Sequence, residues 1–466
     1  MKRLLKIVSF GSIGAVILML IAATLLENLH GSSFVIDNIY HSSWFITLWA
    51  LLAITGMIYI LYTSRRATLV MLHASFVVIL LGALVSFMTS KHGHITIAYE
   101  GVPASMFTTP DGTLEKLPFR LQLTDLKTIY PENSETPADY VATVVVDDRK
   151  EQHTHTVSLN SPMKINGYRF CIKGVSEENL SLTVSYDIYG RPISYAGYLM
   201  VFVSFLLLFF DRQGGFGNTL QLLRGERETK SVIEGKERSS NIATRTTGAL
   251  LCVIIPTALL WYRRGTFPAT NGAEALMLLA SVIAAIAIAL GNKYRFTSLK
   301  RRLAVAACIS AAIALSGLEG EDEVQPILRT PLLGVHVTTI IIAYALLACT
   351  AVNAAIALCT RNTKRRAQQA LFGRVLLYPA TMLLATGIFI GAVWADISWG
   401  RYWGWDPKEV WALVTLLVCS VAFHTRSLQF MARPTTFHLF CIAAFAAVLF
   451  TYFGVNYLLG GLHSYM

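Results

Sequence analysis

The segment WGRYWGWDPKEVW, residues Trp399 to Trp411, contains four tryptophans, one tyrosine and one aspartate within thirteen positions. Tryptophan and tyrosine are enriched where a membrane meets water, and an interfacial belt is the simplest explanation for each of them taken singly. A belt does not need Gly400 and Gly404, which lie between the aromatic residues. Glycine lets the backbone turn tightly and lets a ligand approach it closely. The combination therefore predicts a surface for a large, planar, apolar ligand.

The end of the same segment predicts the start of a helix. Asp406 would be the N-cap, Pro407 the first helical residue and Glu409 the third, which is a capping-box pattern. Capping is a sufficient role for both carboxylates. A further role of Asp406 beside the ligand stays open.

The composition predicts a membrane protein. Of the 466 residues, 54% are hydrophobic and 14% are charged, whereas soluble proteins carry about 25% charged residues. Apolar runs of about twenty residues recur, and each can cross a hydrocarbon core of about 30 Å. The first run, residues 7–26, is long and lacks a clear cleavage site, so we expect a retained helix. The expected fold class is a polytopic α-helical membrane protein of about eleven spans with one small extracytoplasmic β domain.

Five regions follow from the hydropathy pattern. Three spans fill residues 1–90, and residues 91–192 alternate apolar and polar positions, which indicates a β-rich domain. A fourth span, residues 193–211, returns the chain to a basic stretch, residues 212–246, that is typical of a solvated cytoplasmic linker. Residues 247–466 hold seven further spans and the aromatic loop, residues 394–411.

The distribution of charge argues against a nucleic-acid-binding protein, and the cysteines argue against a disulfide-rich or thiol-relay protein. The net charge is +11, but the basic residues cluster in short loops between apolar runs, as expected for loops on the cytoplasmic side. We therefore expect no nucleic-acid partner, a cytoplasmic amino terminus and an extracytoplasmic carboxyl terminus. The seven cysteines include no CxxC pair, which argues against a disulfide framework and against a thiol relay.

Four histidines lie in or beside apolar runs, where an ionisable side chain is a functional hypothesis. Two are predicted near the outer face, His336 and His463, and two toward the inner face, His73 and His424. A packed or capping histidine is the simplest explanation for each one alone. Two pairs, one of them beside an aromatic surface, suit a haem iron, because neutral imidazoles can take both axial positions.

Haem propionates need cations, and Arg401 and Lys408 are the candidates near the aromatic loop, although solvated charges are the simpler explanation. His92 and His94 lie two apart and could share one face of a strand. Exposed polar positions explain those two histidines adequately.

These motifs resemble a named family. Trp399 to Asp406 resembles the tryptophan-rich WWD signature of haem-handling proteins, followed by PKEVW as in the cytochrome c synthase branch. GVHVTTIIIAYA, residues 334–345, and FGVNYLLGGLHSYM, residues 453–466, resemble the segments that bear that family's external haem ligands. The carboxyl half is similar to ResC (CcsA) and the amino half to ResB. The whole resembles a fused ResB–ResC (CcsBA) system II cytochrome c synthase.

The resemblance implies roles for individual residues. His336 and His463 would be axial ligands of haem b at an outer site, and His73 and His424 those of an inner site loaded from the cytoplasm. The loop would cover the haem through Trp399, Tyr402, Trp403, Trp405 and Asp406. No residue is implied as an acid or base catalyst.

The implied activity is that of a holocytochrome c synthase (haem lyase). It attaches the haem vinyl groups to the thiols of a Cys-x-x-Cys-His apocytochrome c, in a bacterial inner membrane. Because the chain has no CxxC, we expect a separate extracytoplasmic thioredoxin-like reductant; lipid is the other partner. One alternative is a haem exporter or carrier-loading protein similar to CcmC or CcmF, which forms no thioether bond. Another is a non-haem transporter whose aromatic loop is only an interfacial belt.

Overall fold

The described chain consists of long apolar helices and one antiparallel sheet. The computed structural model describes residues 1–64, 66–130, 137–148, 151–176, 178–231, 250–255, 257–259, 262, 272–294, 297–316 and 330–459. Helices precede the sheet, two more follow it, and the described part of the carboxyl half is helical again.

The amino-terminal half contains six helices in the described residues, with a π-helical turn at Ile36–Tyr40. They are α1 (Lys2–His30), α2 (Ser32–Val35), α3 (Ser43–Thr63), α4 (Ala67–Thr89), α5 (Gly190–Phe210) and α6 (Gly215–Ser231). Helices α4 and α5 cross closely, because a Cβ at Gly82 would overlap Ser194 and one at Gly190 would overlap Ser86. Small residues let two backbones approach in this way. Since α4 leads into the sheet and α5 leaves it, the crossing fixes the position of the sheet.

The sheet has eight antiparallel strands in the order β5-β4-β3-β2-β1-β8-β7-β6. They are β1 (Lys91–Ala98), β2 (Ala104–Thr108), β3 (Leu114–Ile129), β4 (Asp139–Asp147), β5 (Gln152–Ser158), β6 (Met163–Ile165), β7 (Tyr168–Val175) and β8 (Asn179–Tyr186). Alternate residues of β3, Leu117, Phe119, Leu121 and Leu123, are buried in its core. The period of two places these side chains on one face. The expected small β domain is confirmed.

The carboxyl half is a helical bundle. Its helices are α7 (Gly272–Tyr294), α8 (Thr297–Ser316), α9 (Pro331–Leu358), α10 (Thr363–Trp399), α11 (Pro407–Val421) and α12 (Pro434–Leu449), with a 3₁₀ turn at Gln429–Ala432 and a π-helical segment at Phe450–Leu459. The two halves share a core, since Val16 of α1 and Phe45 of α3 belong to the same buried cluster as Trp411 and Val414 of α11.

Eight helical segments of the described chain are long and apolar enough to cross a membrane. They are α1, α3, α4, Gly190–Leu223, Gly272–Ala289, α9, α10 and Pro434–Leu459. The other three predicted spans differ. Helix α11 has 15 residues, α8 contains the basic run Lys300–Arg302, and residues 247–261 are described only in part. A polytopic helical membrane protein with one small β domain is confirmed as the fold class.

The predicted linker, residues 212–246, begins differently from the expectation. Residues 215–231 form α6, and Leu223 is buried against Leu303 and Phe372 in a shared cluster. Phe216, Leu220 and Leu223 recur at helical spacing, so one face of this basic stretch is apolar and packs. The expected linker therefore begins with a helix that packs up to Leu223, and residues 232–246 lie outside the described residues.

Candidate functional site

A cavity of about 2550 Å³ lies between α3, α4, α5, α10, α11 and the sheet. His73 and His424 line one end, and residues Ser398 to Trp405 line the other. Small-molecule pockets usually measure about 300 to 1,000 Å³. The cavity therefore has room for a large ligand at either end and connects the two ends.

The two inner histidines face each other across this cavity. His73 lies in α4 and His424 follows α11, and their ring centroids are 6.1 Å apart with an interplanar angle of 88°. His73 Nδ1 donates to Leu69 O at 2.8 Å, and His424 Nδ1 donates to Ser420 O at 3.0 Å. A carbonyl only accepts, so each Nδ1 carries the proton of the neutral ring. Each Nε2 then keeps a lone pair, which is the form of imidazole that ligates a metal.

The spacing of these rings fits one metal ion between them. Two metal–imidazole bonds of about 2 Å each, together with the ring radii, place the centroids of such a pair roughly 6 Å apart. The observed 6.1 Å agrees. Backbone hydrogen bonds hold both rings, so the pair is preorganised rather than collapsed onto one another.

The wall around His424 is aromatic and anchored. Phe10 meets the His424 ring edge-on at 5.3 Å, and Tyr59 OH is 2.8 Å from Ser427 Oγ in the turn after His424. Arg374 holds the 3₁₀ turn that follows, Gln429–Ala432, by donating from Nη2 to Met431 O at 2.6 Å. These contacts fix the position of the histidine relative to α3 and α10.

The aromatic loop closes the other end of the cavity. Gly400 caps α10 in the left-handed conformation with φ of 81°, which suits glycine. Trp405 stacks on Tyr40 at 4.3 Å with an interplanar angle of 10°, and Phe45 and Trp403 meet it edge-on at 5.6 and 5.8 Å. One face of Trp405 is thereby covered, and a packed aromatic cluster supports the loop.

The capping pattern of this loop is confirmed. Asp406 accepts a hydrogen bond from Lys408 N at 2.9 Å, and Glu409 Oε2 accepts from Asp406 N at 3.3 Å and from Gly404 N at 2.8 Å. Lys408 Nζ donates to Asn456 Oδ1 at 3.0 Å, whereas Arg401 lines the cavity. Of the two predicted cations, Arg401 is the one on the cavity wall.

Tyr402 ties the loop to the amino-terminal half. Its hydroxyl donates to Ser86 Oγ at 2.9 Å and accepts from Ser194 Oγ at 3.3 Å. Ser86 Oγ in turn donates to Asp187 Oδ2 at 2.5 Å. Burial raises the pKa of Tyr402, so the hydroxyl stays protonated and keeps this chain intact.

A buried carboxylate beside the loop was not found by sequence reasoning. Asp396 is fully buried and accepts from Arg169 Nη1 at 2.5 Å, Arg191 Nε at 3.1 Å and Tyr195 OH at 2.5 Å. The only signal in the sequence was a lone acidic residue at the end of an apolar run. Its arginine partners lie more than 200 residues away, so no local pattern could pair them. The cluster joins α10 to β7 and α5.

Two histidines of β1 also lie on the cavity wall. His92 of β1 is half-buried and His94 is exposed, and both line the cavity together with Arg401 and Asp187. Burial lowers the pKa of His92, so its ring is neutral at physiological pH. The explanation as an exposed strand position is wrong for His92, whereas His94 is exposed as expected, and the face of β1 that carries both turns toward the cavity.

The predicted outer pair is described only in part. His336 lies in α9, and its Nδ1 donates to Gly387 O at 2.7 Å. A Cβ at Gly391 would lie 2.5 Å from His336 Cε1, so glycine makes room for the ring. His336 is not among the described residues that line the cavity, and His463 lies outside the described residues.

Comparison with known proteins matches the two halves separately. Residues 269–463 match the family described as cytochrome C assembly protein, and residues 62–213 match the ResB-like family. The chain is 30% identical over 248 residues to the cytochrome c biogenesis protein CcsA of Solanum lycopersicum, covering 44% of this chain and 79% of that protein. It is also 28% identical over 324 residues to CcsA of Marchantia polymorpha, a match that covers 57% of this chain and 96% of that protein.

The amino-acid sequence is also similar to a much longer protein. It is 36% identical over 149 residues to protein NrfI of Wolinella succinogenes, which covers 30% of this chain. The match spans 16% of the length of NrfI.

Proposed function

The chain belongs to the CcsA family of cytochrome c assembly proteins and carries a ResB-like segment, and on that premise we propose that it is a system II cytochrome c synthase. A membrane protein of cytochrome c biogenesis handles haem. The proposed reaction is narrower: haem b is taken up from the cytoplasmic side and joined to the two thiols of a Cys-x-x-Cys-His apocytochrome c.

The observation that carries this proposal is the His73–His424 pair at one end of a cavity that continues to the aromatic loop. The rings have the separation and the tautomer of two axial ligands. The pair unites α4 of the ResB-like half with the segment after α11 of the CcsA half. A haem site that needs both halves gives a reason for their fusion.

In the proposed reaction the protein positions haem, and haem, as substrate, supplies the reactive vinyl groups. Each client thiol adds across one vinyl double bond, so that sulfur bonds to carbon and the thiol proton ends on the neighbouring carbon. No electrons are transferred overall. Holding the ring against the thiols can lower the barrier by about 7 kcal/mol or more. Bis-histidine ligation leaves the iron no open position for oxygen.

The outer step rests on residues that resemblance alone assigns. His336 and His463 would ligate the iron, with Trp399, Tyr402, Trp403, Trp405 and Asp406 around the ring. The histidine of the apocytochrome would displace one of the two ligands and so assist release. We place the chain in a bacterial plasma membrane, amino terminus inside and carboxyl terminus outside, with a separate thioredoxin-like reductant for the client thiols.

Coexpression of the full chain with an apocytochrome c tests the proposal. We expect haem that stays on the client after denaturing electrophoresis, and none when both client cysteines are changed to alanine. A chain that carries haem but leaves the client without covalent haem would be an exporter or carrier-loading protein. A colourless purified chain would contradict any haem function and return the aromatic loop to a role as membrane anchor.

A further inference from the structure

The charges along the cavity are distributed unevenly. Its carboxylates lie toward the sheet and the aromatic loop; among the described lining residues they are Asp37, Asp111, Glu115, Asp187 and Asp396. At the His73–His424 end, the charged side chains on the described wall other than the histidines are Arg66 and Arg426. That end is therefore positive and its described lining supplies no carboxylate, whereas toward the sheet and the aromatic loop Lys91, Lys173, Arg191 and Arg401 accompany the carboxylates.

Arg66 shares a helix face with His73. It is the N-cap of α4, seven residues before the histidine. Seven residues correspond to about two turns, or about 10 Å along the axis, and return to nearly the same face. Its guanidinium lies 3.6 Å from Asp211, and both side chains are partly exposed, at 38% and 29%. A pair of that kind is weak, so an incoming carboxylate can compete for Arg66.

Arg426 is placed by the turn that holds His424. Leu428 N donates to His424 O at 2.7 Å and Ser427 N does so at 3.0 Å, which closes the turn around Arg426. The hydrogen bond between Tyr59 and Ser427 attaches this turn to α3. Arg426 is exposed and lines the cavity two residues from the histidine. Both arginines thus line the cavity on the segments that carry the histidine pair, at the ends of those segments away from the aromatic loop.

We propose that Arg66 and Arg426 form a carboxylate subsite that binds the propionates of haem while its iron lies between His73 and His424. The inference rests on the proposed function. Arginine is well suited because its planar fork binds carboxylates with two parallel hydrogen bonds. Haem b carries its propionates on one edge and its vinyl groups toward the opposite edge. Propionates at the positive end direct the vinyl edge toward the aromatic loop, where the thiols must arrive.

The test compares two porphyrins that differ only in these carboxylates. Purified full-length chain is titrated with iron protoporphyrin IX and with its dimethyl ester, and the low-spin absorption band reports ligation by the histidines. We expect the free acid to bind more tightly than the ester. Each Arg→Gln change, at Arg66 or Arg426, weakens free-acid binding about tenfold and leaves ester binding unchanged.

Two controls separate charge from folding. Arg365→Gln removes an exposed arginine at the start of α10 that is not on the described cavity wall, and it should not alter either affinity. The Arg66→Lys and Arg426→Lys variants keep the charge and should recover part of the preference for the free acid.

Two results would overturn the subsite. The subsite is contradicted if the unaltered chain binds the free acid and the ester with equal affinity and shows the low-spin band with both. That result would not contradict the proposed function. The subsite would also be contradicted if Arg365→Gln weakened binding of the free acid as much as the changes at Arg66 or Arg426 do. Absence of a low-spin band with either porphyrin would contradict the proposed function itself, and the subsite with it.

Discussion

The two ends of the cavity are built in different ways. The inner end holds two imidazoles, each fixed by one hydrogen bond to its own backbone, on segments anchored by helix packing. The outer end is a loop, held by stacking of Trp405 on Tyr40 and by polar contacts of Tyr402 and Asp396 with the ResB-like half. Rigid helices suit ligation of an iron, whereas a loop joined to a β domain suits contact with an incoming client.

The largest effect is expected at Asp396, which we predict holds the outer end together. In Asp396→Ala the guanidiniums of Arg169 and Arg191 lose their buried counter-ion, which costs about 3–5 kcal/mol. Denaturant titration in detergent measures the change in the free energy of unfolding. Asp125→Ala is the control, because Asp125 pairs with Lys127 at 2.8 Å on the surface, where loss of an ion pair should cost far less than at Asp396. Similar losses in both variants would show that the cluster does not join the halves.

Trp405→Ala should impair the outer end of the cavity and leave haem ligation at the inner end unchanged. Removing a packed aromatic side chain costs about 3 kcal/mol, and it takes the support of Tyr40 and Phe45 from the loop. We expect the yield of covalent cytochrome c to fall while the low-spin haem band of the inner pair keeps its position and intensity. Loss of both signals in parallel would mean that the ends are not independent.

A smaller effect is expected where glycine accommodates His336. In Gly391→Ala the new methyl group overlaps the imidazole, and such overpacking costs about 1–3 kcal/mol. The yield of covalent cytochrome c should drop without loss of the inner haem band. Gly14→Ala in α1 is the matched control, since nothing lies within 4 Å of its Cβ position. Unchanged yield in Gly391→Ala would argue against a role of His336.

The smallest effect concerns the thiol closest to the loop. Cys171 lies in β7 with its Sγ 3.5 Å from Ile397 O, and burial raises its pKa to about 12. A raised pKa means less thiolate at a given pH, on the order of one part in ten thousand at pH 8. Iodoacetamide at pH 8, followed by mass spectrometry, should modify exposed Cys359 and spare Cys171 until the chain is denatured. Rapid modification of native Cys171 would show that the outer end opens.

Local patterns predicted the parts that local chemistry determines. The capping box at Asp406 and Glu409 follows from spacing alone, and the alternation in β3 gives the sheet its buried face. His73 and His424 could be paired by their depth in the membrane, because helix length converts residue number into height.

The remaining features depend on contacts between distant segments. The partners of Asp396, the turn of His92 toward the cavity and the packing of α6 are set by tertiary structure. Lys408 is a further example: it is close to the aromatic loop in sequence, but its side chain is not on the described cavity wall.

The absorption spectrum of the purified, reduced chain tests the central claim most directly. We predict sharp low-spin haem bands that weaken in His73→Ala and in His424→Ala and return when imidazole is added to either variant. His153→Ala, which alters an exposed histidine of β5, should match the unaltered chain. Bands that are absent in the unaltered chain, or unchanged in both variants, would contradict ligation of haem by this pair.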